Sequence, residues 1–331
     1  MKLSEIGEQG LLQILQSFCP SEIIGDDAAV FTTQPHQSLV VTTDVLVDNV
    51  HFSENTTSAF DTGWRSVAAN LSDLAAMGAT PLAITVGLGL PGDTEVNWVE
   101  NLYQGMSSCL QPYQTPIVGG DVVRSPTKTI AITALGQVHP QQTIYRHTAQ
   151  VDDAIVVTGV HGASRAGLEL LLHPEQGLNL TASSQQKLKL AHQRPQPRLD
   201  VIPILKDIFK LNDSPFRVAG MDSSDGLADA VLQICRASGV GAIIHSTQIP
   251  IPDVFPTWLS PTKALEYALY GGEDFELVLC LPLPIATQLT AQINHAAIIG
   301  CIQVEPQVHL ISDNKEIPSQ TLTLNQGFQH F

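Results

Sequence analysis

The 331 residues include 44% hydrophobic and 15% charged positions, the composition of a folded protein with room for two cores rather than of a disordered chain. A net charge of −16 excludes ordinary nucleic-acid binding, which needs a basic surface to displace counterions. No run of about 18 uncharged apolar residues occurs, and Glu5 and Glu8 fall where a signal peptide would be apolar, so the chain reads as cytoplasmic with no membrane segment.

The first half alternates helix and strand signals. Leu11, Leu12, Ile14, Leu15 and Phe18 have helical spacing over 8–18, and Cys19-Pro20 closes that helix. Strands are predicted at 28–31 and at 38–43, the second a β-branched run ending on Asp44. Phe60, Trp64, Val67, Leu71 and Leu74 share one helical face over 59–77, which Gly78 and Pro81 end. Strand 82–90, helix 94–110, strand 115–119 and strand 128–138 complete a first domain, 1–140.

The second domain, 141–331, opens with a polar linker and the uncharged strand 154–158, which reads as buried on both faces. Helices 164–172, 183–193 and 199–210 follow, the last two parted by the prolines of Arg194-Pro-Gln-Pro-Arg198. Strand 217–222, helix 226–238, strand 241–246, a proline-rich loop at 249–256, helix 261–269 and strand 274–281 come next. The fold class is therefore α/β (α+β) in two domains. Five cysteines, an odd number with no C-x-x-C pair, read as buried free thiols.

Chemistry points to the acids. They stand at turns or strand ends in G-D-D (25–27), T-T-D (42–44), N-L-S-D (70–73), G-G-D (119–121) and D-S-S-D-G (222–226). Each alone has a plain structural reading: Asp225 as a helix N-cap, Asp26 and Asp27 as turn residues. Asp44 and Asp121 are expected at the carboxyl ends of strands, where open sheets bind ligands. Asp73 interrupts an apolar helix between Leu71 and Leu74, with Asn70 on the same face and Arg65 two turns away as the segment's only base. It needs either a neighbouring hydroxyl or a cation.

Acids converging without bases suit a hard divalent cation, and no His pair on a helix supports zinc. Magnesium held by few carboxylates shares its shell with phosphates, which points to phosphate chemistry. Phosphate loops of the P-loop and protein-kinase kinds are missing. Gly159, Gly162 and Gly167 follow a strand, and close packing accounts for them as well as a phosphate does.

The five motifs in this order, with H-F at 51–52, N-L-S-D-L-A-A-M-G-A at 70–79 and G-G-E-D-F-E-L at 271–277, resemble thiamine-monophosphate kinases along essentially the whole chain. Those enzymes share a superfamily with aminoimidazole ribonucleotide synthetase and selenophosphate synthetase. The resemblance implies a two-domain synthetase-like fold whose N-terminal ATP- and metal-binding domain dimerises through its sheet and whose C-terminal α/β domain completes the active site. It implies ATP and thiamine monophosphate as substrates and several Mg²⁺ ions per site. Asp27, Thr42, Thr43, Asp44, Asp73, Asp121, Asp222 and Asp225 are the metal ligands it implies, with Asp44, Asp73, Asp121 and Asp222 central to catalysis. ATP falls to Tyr103, Gly120, Asp121, Arg146 and Ser224, and thiamine monophosphate to His51, Glu273 and Phe328. Phe328 stands where the family often has tryptophan or tyrosine, which keeps a stacking face and loses a polar handle. The alternatives are another ATP-dependent synthetase of the superfamily, a Mg²⁺-dependent phosphatase, or a metal-binding scaffold without turnover. A selenophosphate synthetase needs a reactive cysteine and lysine near its start, and the hydrogenase-maturation relative ends in cysteine, whereas this sequence ends Gln329-His330-Phe331.

Overall fold

The computed structural model describes residues 1–21, 28–29, 32–312 and 319–324. They form two compact units, Met1–Leu74 with Ala79–Pro140, and Ala75–Gly78 with Gln141–Phe331.

The first unit contains α1 (Leu3–Gln16), β1 (Ser38–Val47), α2 (Ala59–Ala76), β2 (Thr80–Leu90), α3 (Val96–Leu110), β3 (Ile117–Arg124) and β4 (Thr129–Val138). Its sheet runs β1-β4-β2-β3, antiparallel except for the parallel β2/β3 pair. Register puts Asp44 opposite Ile132 and Ile132 opposite Val86, so period-two alternation sets Leu46, Ile130, Ile132, Ala134, Ile84, Val86 and Leu88 on one face. All of these are buried. On the opposite face Leu39, Val41 and Val45 are 52%, 56% and 47% exposed. Val67, Leu71 and Leu74 of α2 and Val99, Leu102 and Met106 of α3 complete the core, and each such side chain contributes about 1.5–3 kcal/mol. The two helices touch backbone to backbone. A Cβ on Gly63 would lie 1.9 Å from Leu102 O, and one on Gly105 1.9 Å from Phe60 O.

The second unit contains β5 (Ala154–Val157), α4 (Ala163–Leu172), α5 (Ala182–Gln193), α6 (Val201–Leu211), β6 (Ala219–Asp222), α7 (Leu227–Ser238), β7 (Gly241–His245), α8 (Phe255–Trp258), α9 (Pro261–Tyr270), β8 (Leu277–Leu281), α10 (Leu283–Thr290), β9 (Ala297–Gln303), β10 (Val308–Ile311) and β11 (Gln320–Thr321). Its sheet order is β11-β10-β7-β9-β5-β8-β6. Every residue of β5 is buried, and α7 packs Leu227, Val231 and Ile234 into the same core as Ile155, Val157 and Val278. Capping follows ordinary rules: Thr181 accepts from Ser184 N at the start of α5, and Ser260 from Lys263 N at the start of α9.

Several elements depart from expectation. Residues 28 and 29 lie outside any strand, and 30–31 fall outside the described residues. α1 begins at Leu3, although Gly7 (φ 68°) breaks it where the sequence reading starts the helix. β1 and β3 run past Asp44 and Asp121 to Val47 and Arg124, so these acids sit within strands and not at their ends. The hydrophobic alternation on either side outweighs the low strand preference of aspartate. Cys109, Cys235 and Cys280 are buried, Cys19 is half-buried, and Cys301 is exposed because it alternates outward on β9.

Candidate functional site

Within the first unit the oxygen-bearing residues gather where α2 crosses the buried-face side of β1. Thr42 and Asp44, two apart, point to the same face. Thr42 Oγ1 donates to Asp73 Oδ2, so the acid interrupting the α2 apolar face meets a hydroxyl that is itself a candidate ligand. The amide of Asp44, on an edge strand, donates to Asn70 Oδ1 at 3.2 Å, and Asn70 is held by donating to Ser66 O at 2.9 Å. Thr43 turns to the other face, where its hydroxyl pairs with that of Thr133 at 2.8 Å. His51 lies in the turn after β1. Its Nδ1 accepts from Val47 N at 3.1 Å and its carbonyl from Arg65 Nη2 at 3.4 Å, which puts the proton of the neutral ring on Nε2.

Asp121 is exposed on β3 and registers with Gly87, on the face opposite Asp44. Three strand spacings separate β3 from β1 in this sheet, roughly 14 Å. One chain therefore does not bring Asp121 to Asp44. Gly120 is dictated by packing, since a Cβ there would lie 1.9 Å from Val86 O. Tyr103 is 3% exposed, its ring centroid 5.4 Å from that of Phe18, and burial pushes its phenol pKa well up. Asp27 and Phe328 lie outside the described residues.

The second unit gathers another set. Asp222 ends β6, buried, and accepts from Ser224 Oγ at 3.2 Å. Gly226 (φ 106°), not Asp225, is the N-cap of α7, and Asp225 is exposed. Asp225 raises the pKa of Asp229, as burial does more strongly, while Arg146 opposes both. Arg146 is thus in the electrostatic field of α7's acidic N-terminal turn. Glu273 N donates to Ser224 O at 2.7 Å, tying the G-G-E-D-F-E-L loop to D-S-S-D-G.

That loop holds groups the sequence reading did not name. Asp274 accepts from Gly162 N at 2.6 Å and Ser164 N at 2.8 Å, filling the N-terminus of α4 with an internal carboxylate. Burial pushes its pKa up to about 7, against the pull of those amides and with Glu276 and Glu273 adding to the rise. Glu276 takes Thr158 Oγ1 at 2.6 Å and Arg198 Nη1 at 2.5 Å, and Arg198 also forks onto Asp200 with two 3.0 Å contacts. His192 Nδ1 is 3.1 Å from Ser164 Oγ and 3.6 Å from Glu273 Oε2. Closely spaced acids, with two arginines in the R-P-Q-P-R segment as basic candidates, are the available signal. The residues at 274–276 are loop and not strand, since Glu273 (φ 67°) and Phe275 (φ 52°) are left-handed. The glycines after β5 are explained by packing: Cβ atoms on Gly159, Gly162 and Gly167 would lie 2.3 Å from Glu276 Oε1, 2.9 Å from Ala268 N and 2.1 Å from Leu188 O.

The donors around Thr42, Asp44 and Asp73 are hydroxyl and carboxylate oxygens, which fit a hard cation such as Mg²⁺ and not zinc. Among the described residues no three His, Cys, Asp or Glu side chains stand close enough to hold a metal by themselves. Any ion here needs further oxygens, such as those of water or a phosphate.

The first unit, with oxygen donors beside β1, is of the class defined by the AIR synthase related protein, N-terminal domain, whose profile matches residues 25–138. The thiamine-monophosphate kinase of Synechococcus elongatus is 52% identical over 331 residues, covering 99% of this chain and 98% of its own. The chain belongs to the thiamine-monophosphate kinase family. Among solved structures, the thiamine-monophosphate kinase from Stenotrophomonas maltophilia K279a has a TM-score of 0.77 at 30% identity, covering 91% of this chain and 94% of its own. AaThiL complexed with AMPPCP and TMP has a TM-score of 0.76 at 30% identity over 100% of this chain and 99% of its own.

Proposed function

We propose that this protein uses ATP to phosphorylate thiamine monophosphate, giving thiamine diphosphate. The observation that carries the reading is the Thr42–Asp73 oxygen pair, with Asp44 fixed beside it through its backbone amide on Asn70, in a chain that matches thiamine-monophosphate kinases from end to end. The complex of AaThiL with AMPPCP and TMP supports the choice of substrates.

Transfer is direct and in line: a phosphate oxygen of thiamine monophosphate bonds to the terminal phosphorus of ATP as the bond from that phosphorus to the bridging oxygen breaks, and ADP leaves. The acceptor is already ionised, so no strong base is needed, and positioning with charge neutralisation supplies the rate. When bound, Mg²⁺ supplies that neutralisation; Thr42, Thr43, Asp44, Asp73 and Asp121 of the first domain, Asp222 and Asp225 of the second, and Asp27 are the residues we assign to it. Thr42 orients Asp73, Asn70 fixes the backbone that carries Asp44, and Ser224 orients Asp222. Tyr103, Gly120, Asp121, Arg146 and Ser224 are assigned to ATP. His51, Glu273 and Phe328 are assigned to thiamine monophosphate, where the Nε2 proton of His51 suits an anionic oxygen and the Glu273 carboxylate a cationic ring.

The working form in this reading is a cytoplasmic homodimer joined through the first domain's sheet. Leu39, Val41, Val45 and Val123 form an apolar, exposed face that a second copy would cover. Asp121 and Thr43 share that face, while Asp44 points to the other. Free cysteines throughout, and no membrane-crossing helix among the described residues, support the location. The test is incubation with ATP, Mg²⁺ and thiamine monophosphate: thiamine diphosphate should form. Phosphate release without thiamine diphosphate would favour the phosphatase, and no turnover the scaffold.

A further inference from the structure

We propose that Asp274 is a positioning residue for substrate binding, anchoring the 271–276 loop to the first turn of α4 so that Glu273 is presented to thiamine monophosphate. This rests on the reading of Glu273 as a substrate contact. The argument begins with backbone conformation. Glu273 and Phe275 flank Asp274 with φ of 67° and 52°, a left-handed conformation that is unfavourable for L-residues because Cβ crowds the carbonyl oxygen. Such a conformation persists only where the surroundings over-determine it. Here the restraints are identifiable: Glu273 N on Ser224 O at 2.7 Å, Asp274 on Gly162 N and Ser164 N at 2.6 and 2.8 Å, Phe275 buried, and Glu276 on Thr158 and Arg198. Of these, Asp274 alone joins the loop to α4.

Charge makes the same point. Glu273, Asp274 and Glu276 put three acids into four residues. Glu276 is matched by the Arg198 guanidinium, and Asp274 by two amides at a helix N-terminus. Each carboxylate is thus drawn in a fixed direction, and Glu273, with its side chain 34% exposed, is left turned outward beside His192. Ser164 serves both sides of this arrangement, its amide holding Asp274 and its hydroxyl reaching His192 Nδ1 at 3.1 Å. Without the Asp274 anchor the left-handed pair is free to relax, and the Glu273 carboxylate loses its fixed place.

Steady-state kinetics of Asp274→Asn and Glu273→Ala, alone and combined, test this. Asp274→Asn keeps the shape but offers an NH₂ to one of the two amides. We expect its KM for thiamine monophosphate to rise roughly tenfold, with kcat and the KM for ATP within about threefold of wild type. In the Glu273→Ala background the same substitution should add nothing, because it acts through Glu273. Equal changes in all parameters, or effects that add in the double variant, would overturn the proposal. If Glu273→Ala alone leaves the KM unchanged, the failure lies with the assignment of Glu273 instead, and the anchor has no substrate role. Should Asp274→Asn not fold, hydrogen exchange on the wild-type protein decides: thiamine monophosphate should slow exchange at Gly162 and Ser164 where ATP alone does not, and unchanged exchange refutes the anchor.

Discussion

Replacing Arg198 by Met isolates the energetics of the network beneath the 271–276 loop. The guanidinium donates to Glu276 at 2.5 Å, to Thr158 O at 2.6 Å and to Asp200 twice at 3.0 Å, with side-chain exposures of 13% for Arg198 and 15% for Glu276. Removing one member of a buried pair costs about 3–5 kcal/mol, because the other charge is stranded. Residual exposure puts Arg198→Met near the lower end, about 3 kcal/mol, or a melting temperature lowered by roughly 6–12 °C. The sign of the pH dependence follows from Glu276. Burial already raises its pKa, Arg198 is the largest opposing influence, and without Arg198 the pKa rises further. The folded state then holds a proton that the unfolded state releases, so the loss should be greatest at alkaline pH and shrink as pH falls. Adding Glu276→Gln should restore most of the stability, since no buried charge remains unpaired. Thermal melts of the single and double variants at pH 5.5 and 8.5 measure all of this. A loss independent of pH, or a second substitution that restores nothing, would refute the reasoning.

Asp44→Asn should reduce phosphoryl transfer below roughly a tenth of the wild-type rate, a barrier increase above about 1.4 kcal/mol, with an unchanged far-ultraviolet spectrum; a higher residual rate removes Asp44 from the centre. Val41→Asp, at a position 56% exposed, should leave the monomer folded and shift sedimentation from dimer to monomer. Asp73→Asn should be inactive and gain less than wild type from Mg²⁺, which at about a hundred times its dissociation constant adds about 2.7 kcal/mol; paired melts with EDTA and with Mg²⁺ read the difference, and because Thr42 is a partner of Asp73, the metal-free comparison tests the balance between that hydrogen bond and mutual repulsion. The folded pKa of Asp274 lies above its ordinary 3.8, at about 7, so its ionisation draws down stability as pH rises through that window. Asp274→Asn, which cannot ionise, should therefore gain stability relative to wild type between pH 5 and 8, with Glu273, Glu276, Arg198 and His192 unchanged around it; a constant difference would contradict the shift.

Elements with long periodic faces were legible in the sequence. The apolar face at 60, 64, 67, 71 and 74 is α2, and the β-branched run from 38 is β1, because hydrophobic periodicity reports directly which side is buried. Asp44 within β1 was misjudged as its end, since one polar residue looks like a stop until its partners are known. The anchors of the second unit were illegible for a different reason. Arg198 and Glu276 are 78 positions apart, and Asp274 and Gly162 are 112 apart. No local pattern encodes such pairings. Thr42 with Asp73 was half legible, as Asp73 plainly needed a partner while its identity depended on the crossing of α2 over β1. The assignment of acids to the chemistry rests on the order of the motifs and not on any one of them.

The position of β5 has a consequence for how the chain is made. This strand is buried along its whole length, and both its neighbours, β8 and β9, lie far downstream, with Val157 opposite Val278 and Ala297. This interior strand is thus the first of its sheet to be synthesised, yet neither of its partners exists until residues 277–281 and 297–303 have been made. At about 5–20 residues per second, the ribosome leaves it waiting roughly 7–30 s for β9. Pairing across such separations is intrinsically slow, so the second unit should acquire its structure only after nearly the whole chain has emerged. A nascent chain halted before residue 297 lacks β9, and the apolar A-I-V-V segment then has an open edge offered to any chaperone or neighbouring chain.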